Sequence, residues 1–162
     1  MKIGLLREGK IPIDRRVPLT PKQAVELQER FGVVVVAQSS DIRAFSDSEY
    51  ARAGIEVVDA VDDCDVLLGV KEVPIPQLIP GKTYFFFSHT YKRQPYNAKL
   101  LKACVERNIR LIDYELLTKN GARVVAFGRF AGLAGTDGPD RFVGHHQFVG
   151  IKAFQSLFDL SP

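Results

Sequence analysis

Val66-Leu67-Leu68-Gly69-Val70 is an apolar run that stops at Lys71-Glu72, and Tyr84-Phe85-Phe86-Phe87 stops in the same way at Ser88-His89. Short runs of aliphatic and aromatic residues with polar ends suit strands buried on both faces of a sheet. The proline-rich stretch Pro74–Pro80 connects them. Earlier in the chain Lys2–Leu6 and Val33–Val36 read as strands, the second apolar throughout, and Glu56–Val58 as a brief one. Later, Arg110–Ile112 and Arg123–Ala126 read as strands with a turn at Asn120-Gly121 between them.

Amphipathic stretches alternate with these runs. Pro21–Phe31 carries Ala24, Leu27, Gln28 and Phe31 on one face, Thr20 in a capping position and Pro21 where a helix accepts proline. Gly32 supplies the left-handed residue that ends it. Ser46–Ala53 reads as a short helix closed by Gly54, and Asn97–Arg107 as a longer one with Leu100, Leu101, Cys104 and Val105 facing inward. Alternating strands and helices define an α/β fold, a doubly wound and mostly parallel sheet of flavodoxin-like or Rossmann-like type. Residues 1–135 are expected to form this domain. Gly135–Gly144 is rich in turn residues and Ile151–Phe158 has helical spacing, so 136–162 is expected to be a linker or C-terminal helix.

The 162 residues suit one domain, and 46% hydrophobic with 25% charged residues is the balance of a globular chain. Basic and acidic side chains, 22 against 19, are interspersed, which argues against a nucleic-acid partner. No apolar run approaches the ~20 residues of a membrane span, and Met1-Lys2 leads straight into a strand pattern. Cys64 and Cys104 lie far apart and match no metal spacing; two reduced thiols suit a cytoplasmic protein. His145-His146 has no supporting cluster, so no metal is expected. Gly128, Gly132, Gly135 and Gly138 do not form a dinucleotide fingerprint behind a strand, so tight packing or a turn is the simpler use of that run.

Ligands of open parallel sheets bind beyond the carboxyl ends of the strands. Lys71-Glu72, Ser88-His89 and Asp113 with Glu115 each follow a strand directly, so parallel neighbours would crowd Lys71, His89 and Glu115 onto one rim. A lysine beside a histidine is suited to proton transfer, because each cation disfavours the other. Glu72 or Glu115 can restore the charge, and Arg16 offers a planar fork for a substrate carboxylate. Each of these residues alone also fits a solvated surface position. Only their joint placement favours a site.

At these residues the chain resembles a known family. Gly4–Lys10 with Arg16-Val17-Pro18-Leu19-Thr20-Pro21, and Gly69-Val70-Lys71-Glu72-Val73-Pro74, are similar to the N-terminal domains of alanine dehydrogenases, transhydrogenases and saccharopine dehydrogenases. Phe87–Gln94 and Val125–Gly132 resemble the branch of saccharopine dehydrogenase and lysine–oxoglutarate reductase. The likeness runs over about residues 2–135. It implies that Lys71 and His89 are the acid/base pair and that Arg16, Glu72, Glu115 and Arg123 line the substrate site. It also implies an NAD(P)-dependent amino-acid oxidoreductase acting on a small amino-acid or keto-acid substrate, with NAD or NADP held by a separate or missing dinucleotide-binding domain rather than by this chain alone. Homo-oligomers are expected, because a face built for a second domain would otherwise be bare. The alternative is a stand-alone, non-catalytic amino-acid or keto-acid binding or regulatory module.

Overall fold

The central strands of the main sheet are short and largely apolar because packing covers them on both sides. The computed structural model describes residues 1–125. In chain order the elements are β1 (Lys2–Leu5), α1 (Pro21–Phe31), β2 (Val34–Gln38), α2 (Asp47–Arg52), β3 (Glu56–Val58), β4 (Val66–Leu68), β5 (Thr83–Phe86), α3 (Ala98–Glu106), β6 (Arg110–Asp113), β7 (Thr118–Lys119) and β8 (Ala122–Arg123). β1 to β6 form one parallel sheet in the order β3-β2-β1-β4-β5-β6. The expected parallel α/β architecture is present.

Side chains alternate across the sheet with a period of two. Ile3, Leu5, Leu68, Val70, Phe85 and Phe87 pack on one face with Ala24 and Leu27 of α1. Val36, Leu67, Tyr84 and Phe86 pack on the other with Leu100, Ala103 and Cys104 of α3. Each fully buried side chain of this size contributes roughly 1.5–3 kcal/mol, so these two layers hold the sheet. Gly4 sits where the second layer closes on β1. A Cβ there would stand 2.9 Å from Leu67 Cδ2 and 3.1 Å from Cys64 Sγ.

The strand order reverses at β1. From there β2 and β3 continue to one side, while β4, β5 and β6 lie on the other. A crevice therefore opens between the carboxyl ends of β1 and β4, the place where such sheets bind ligands.

Several sequence expectations change in detail. Leu101 and Val105 do not face inward; they are 48% and 75% exposed. The stripe that meets the sheet is Leu100, Ala103 and Cys104, and the other two lie about 100–140° round the helix from Leu100. Val34 is exposed because it opens β2 at the amino edge of the sheet, so that run is not buried throughout. The expected strand at Arg123–Ala126 is instead β8, which pairs antiparallel with β7 outside the main sheet. Asn120 (φ 52°) and Gly121 (φ 77°) make the tight turn between them. The glycine-rich run beyond Val125, His145-His146 and the expected linker and helix over 136–162 lie outside the described residues.

α1 starts with a reciprocal cap: Gln23 N–H donates to Thr20 Oγ1 at 3.3 Å, and Thr20 N–H to Gln23 Oε1 at 2.9 Å. Gly32, at φ 62°, closes it. Thr20→Ala removes the side-chain acceptor of the Gln23 N–H and is expected to cost about 1 kcal/mol, read as a lower urea midpoint with an unchanged slope.

Candidate active site

Two groups of polar side chains stand on the carboxyl rim. The first surrounds the ends of β5 and β6. β5 stops at Phe86, Ser88 is fully buried, and its Oγ donates to Asp113 Oδ2 at 2.7 Å. The other oxygen of that carboxylate accepts the Glu115 N–H at 2.9 Å. Asp113 thus ties the chain after β5 to the chain after β6. His89 takes a left-handed turn (φ 54°), and its carbonyl is held by Asn97 Nδ2 at 3.0 Å.

This frame brings His89 Nδ1 within 2.6 Å of Glu115 Oε2. Arg123 Nη1 lies 3.3 Å from Glu115 Oε1, and Lys92 Nζ lies 3.3 Å from Glu115 Oε2 and 3.2 Å from His89 Nδ1. Nδ1 cannot donate to a carboxylate and accept from an ammonium at once, and the 2.6 Å contact is much the closer. Glu115 therefore holds the proton on Nδ1, which leaves Nε2 of a neutral ring as the basic nitrogen. Burial pushes the Glu115 carboxyl up, but hydrogen bonds from His89 and Lys92 outweigh it, so its titration lies below the ordinary carboxylate value.

The second group lines the crevice between β1 and β4. It is an open space of about 640 Å³ bordered by Leu6, Glu8, Gln38, Lys71, Glu72 and Gln77, among others. The Lys71 side chain has no hydrogen-bond or ion-pair partner among the described residues, whereas its backbone N–H donates to Glu8 Oε2 at 2.9 Å. Glu72 pairs with Lys10 and is largely buried. Arg16 turns its fork towards Asp14, with Nε 2.9 Å from Oδ1. Burial raises the Asp14 carboxyl, and the Arg16 guanidinium more than offsets that, holding it below its usual range.

The rim thus gathers His89 and Arg123 around Glu115 and places Lys71 and Glu72 along the crevice, whereas Arg16 is not part of the crevice lining and pairs with Asp14. Lys71 and His89 do not touch. The cation beside His89 is Lys92, one turn further along the 3₁₀ segment Thr90–Lys92. Sequence reasoning assigned no role to Lys92, Asp14 or Glu8. Glu8 carried a usable signal, because it follows β1 as closely as Lys71 follows β4. No group of three or more metal-ligating side chains occurs among the described residues.

The turn after β1 does not fit the pyrophosphate of a dinucleotide. β1 is followed by Arg7-Glu8-Gly9-Lys10 and a buried carboxylate, where a pyrophosphate needs close glycine backbone and a helix N-terminus. The helix that follows starts only at Pro21.

A parallel α/β domain with acid–base groups on its carboxyl rim is the class this geometry defines. Within that class, residues 4–134 match the family described as Alanine dehydrogenase/PNT, N-terminal domain, and the chain belongs to it. The mitochondrial alpha-aminoadipic semialdehyde synthase of Mus musculus is 42% identical over 134 residues, covering 82% of this chain and 14% of that protein. The saccharopine dehydrogenase [NAD(+), L-lysine-forming] of Schizosaccharomyces pombe is 36% identical over 139 residues, covering 81% of this chain and 37% of the relative. The transhydrogenase of Sinorhizobium meliloti superposes with a TM-score of 0.66 at 20% identity, over 83% of this chain and 42% of that one, a likeness of fold. The chain spans well under half the length of these relatives. No helix among the described residues is long and apolar enough to cross a membrane.

Glu8 gives this rim a measurable signature. Burial lifts its carboxyl from 4.5 to about 7, despite the N–H groups of Val70 and Lys71, which pull it down. The folded chain keeps that proton up to about 7, while the unfolded chain loses it near 4.5. The folded state therefore binds more protons in that window, and its stability falls as pH rises through it. The expected loss is on the order of 3 kcal/mol, seen in urea unfolding at a series of pH values and flattened in Glu8→Gln.

Proposed function

We propose that this chain is the substrate-binding catalytic domain of an NAD(P)-dependent amino-acid oxidoreductase of the saccharopine or lysine type. The observation that carries the proposal is the contact of His89 Nδ1 with Glu115, braced by Arg123, on the same rim as Lys71. Proton transfer needs a basic nitrogen whose tautomer is held by a carboxylate, and His89 meets that requirement through Glu115. Lys71 supplies a second proton carrier from the adjacent strand end. Together the two move the protons that must travel when a carbon–nitrogen bond of an amino-acid substrate is made or broken. Arg123 and Arg16 orient substrate carboxylates, and Glu72 and Glu115 receive the amino group.

Residues 1–135 make up this domain in our reading, and 136–162 lead out of it. NAD or NADP belongs to the complete enzyme and is held by a dinucleotide-binding domain that these residues meet. Self-association belongs to the same proposal, with Leu101 and Val105 as exposed apolar ground for it. The buried thiols Cys64 and Cys104 suit a reducing compartment such as the cytoplasm.

The test is nicotinamide reduction with saccharopine, lysine or alanine, with a dinucleotide-binding domain supplied. Lys71→Met and His89→Gln should each lower kcat about 10²–10⁴-fold while the fold, followed by circular dichroism, is retained. Substrate binding that survives with no turnover under any complementation would instead mark a non-catalytic binding module.

A further inference from the structure

The β1 strand ends at Leu5, and the last backbone link to its neighbour is Leu6 N–H donating to the Leu68 carbonyl at 2.8 Å. The chain after β4 runs on to Lys71 with support from β5: Gly69 N–H donates to the Phe85 carbonyl at 2.9 Å, and the Val70 carbonyl accepts from Phe87 N–H at 3.1 Å. The N–H groups of Val70 and Lys71 receive no backbone acceptor from β1. Glu8 fills that gap with its side chain. Oε1 accepts the Val70 N–H at 2.7 Å and Oε2 the Lys71 N–H at 2.9 Å.

A carboxyl that is 9% exposed is costly to ionise, and burial lifts it to about 7 even though two consecutive amides, and the nearby Arg16, favour its charged form. Such a pair fixes both position and direction, because both oxygens are used and neither can rotate without breaking a bond. The residue it fixes is Lys71, whose amine makes no hydrogen bond or ion pair among the described residues and lies near enough to Asp14 to help lower that carboxyl. Three other groups face Glu8: Asp14 and Arg16 from the loop after β1, and the Tyr114 hydroxyl from the end of β6. That hydroxyl is buried with no hydrogen-bond partner among the described residues.

We propose that Glu8 is the positioning residue for Lys71: by bridging the Val70 and Lys71 amides it replaces a missing length of β1 and sets the angle at which the lysine enters the crevice. The inference rests on the acid–base role given to Lys71 above. It makes Glu8 a part of the reaction's geometry without placing it on the substrate.

Two measurements test it, and they fail separately. In ¹⁵N–¹H spectra of the full chain, the Val70 and Lys71 amides should shift together with a midpoint near 7, the value for Glu8. Glu8→Gln should abolish that titration, since an amide offers one acceptor and turns a donor towards the other N–H. In the chain complemented with a dinucleotide-binding domain, Glu8→Gln and the shorter Glu8→Asp should lower kcat about 10- to 100-fold with KM changed less than about threefold, and Asp should be the milder. If Lys71→Met abolishes turnover but both Glu8 variants keep wild-type kcat, the positioning role is overturned and the acid–base reading stands. If Lys71→Met leaves turnover intact, both fall. Absence of the amide titration in the wild-type chain overturns the bridge itself, whatever the activity.

Discussion

β5 lies between β4 and β6 in parallel register, so that Val66, Thr83 and Arg110 stand level and the chain leaves all three strands on the same side. A one-residue slip would exchange the two faces of β5 and turn Phe85 and Phe87 out of the layer they share with α1. The register is therefore set by the core, and the core is indifferent to chemistry. What it delivers is a rim on which the residues after each strand are forced together. Ser88, His89, Asp113 and Glu115 meet there because their strands are neighbours, and Asp113 then locks the meeting by bonding to both sides of it.

Electrostatics on this rim works by placement more than by strength. Burial pushes the Glu115 carboxyl up, hydrogen bonds from His89 and Lys92 bring it below its ordinary value, and in turn it decides which imidazole nitrogen carries the proton. Glu8, at the end of β1, has amides in contact instead of cations, and burial wins: its carboxyl rises to about 7. Two carboxylates on one rim thus differ in titration because side-chain hydrogen bonds from His89 and Lys92 outweigh burial at Glu115, whereas burial outweighs the amides and Arg16 at Glu8.

The sheet and the residues on its carboxyl rim were legible in the sequence because both are written in simple periods. Apolar runs that halt at Lys71, His89 and Asp113 mark strand ends, and parallel neighbours put those ends side by side. What the pattern could not convey was local turn geometry. His89 adopts a left-handed backbone and is followed by a 3₁₀ turn, which brings Lys92 rather than Lys71 against the imidazole. Helical spacing placed Leu101 and Val105 near the apolar stripe of α3, yet only the stripe of Leu100, Ala103 and Cys104 reaches the sheet. The bridge from Glu8 to two amides across 62 and 63 residues has no local signature at all.

The central claim is that the carboxyl rim of β4, β5 and β6 is the amino-acid site. Titrating the full chain with saccharopine, lysine or alanine while recording ¹⁵N–¹H spectra tests it most directly. The amides of Gly69–Glu72, Ser88–Lys92 and Asp113–Glu115 should move, while Lys2, Val34, Asp65 and Lys82, at the opposite edge of the sheet, stay fixed. Shifts confined to that opposite edge, or none on the rim at saturating ligand, would contradict it.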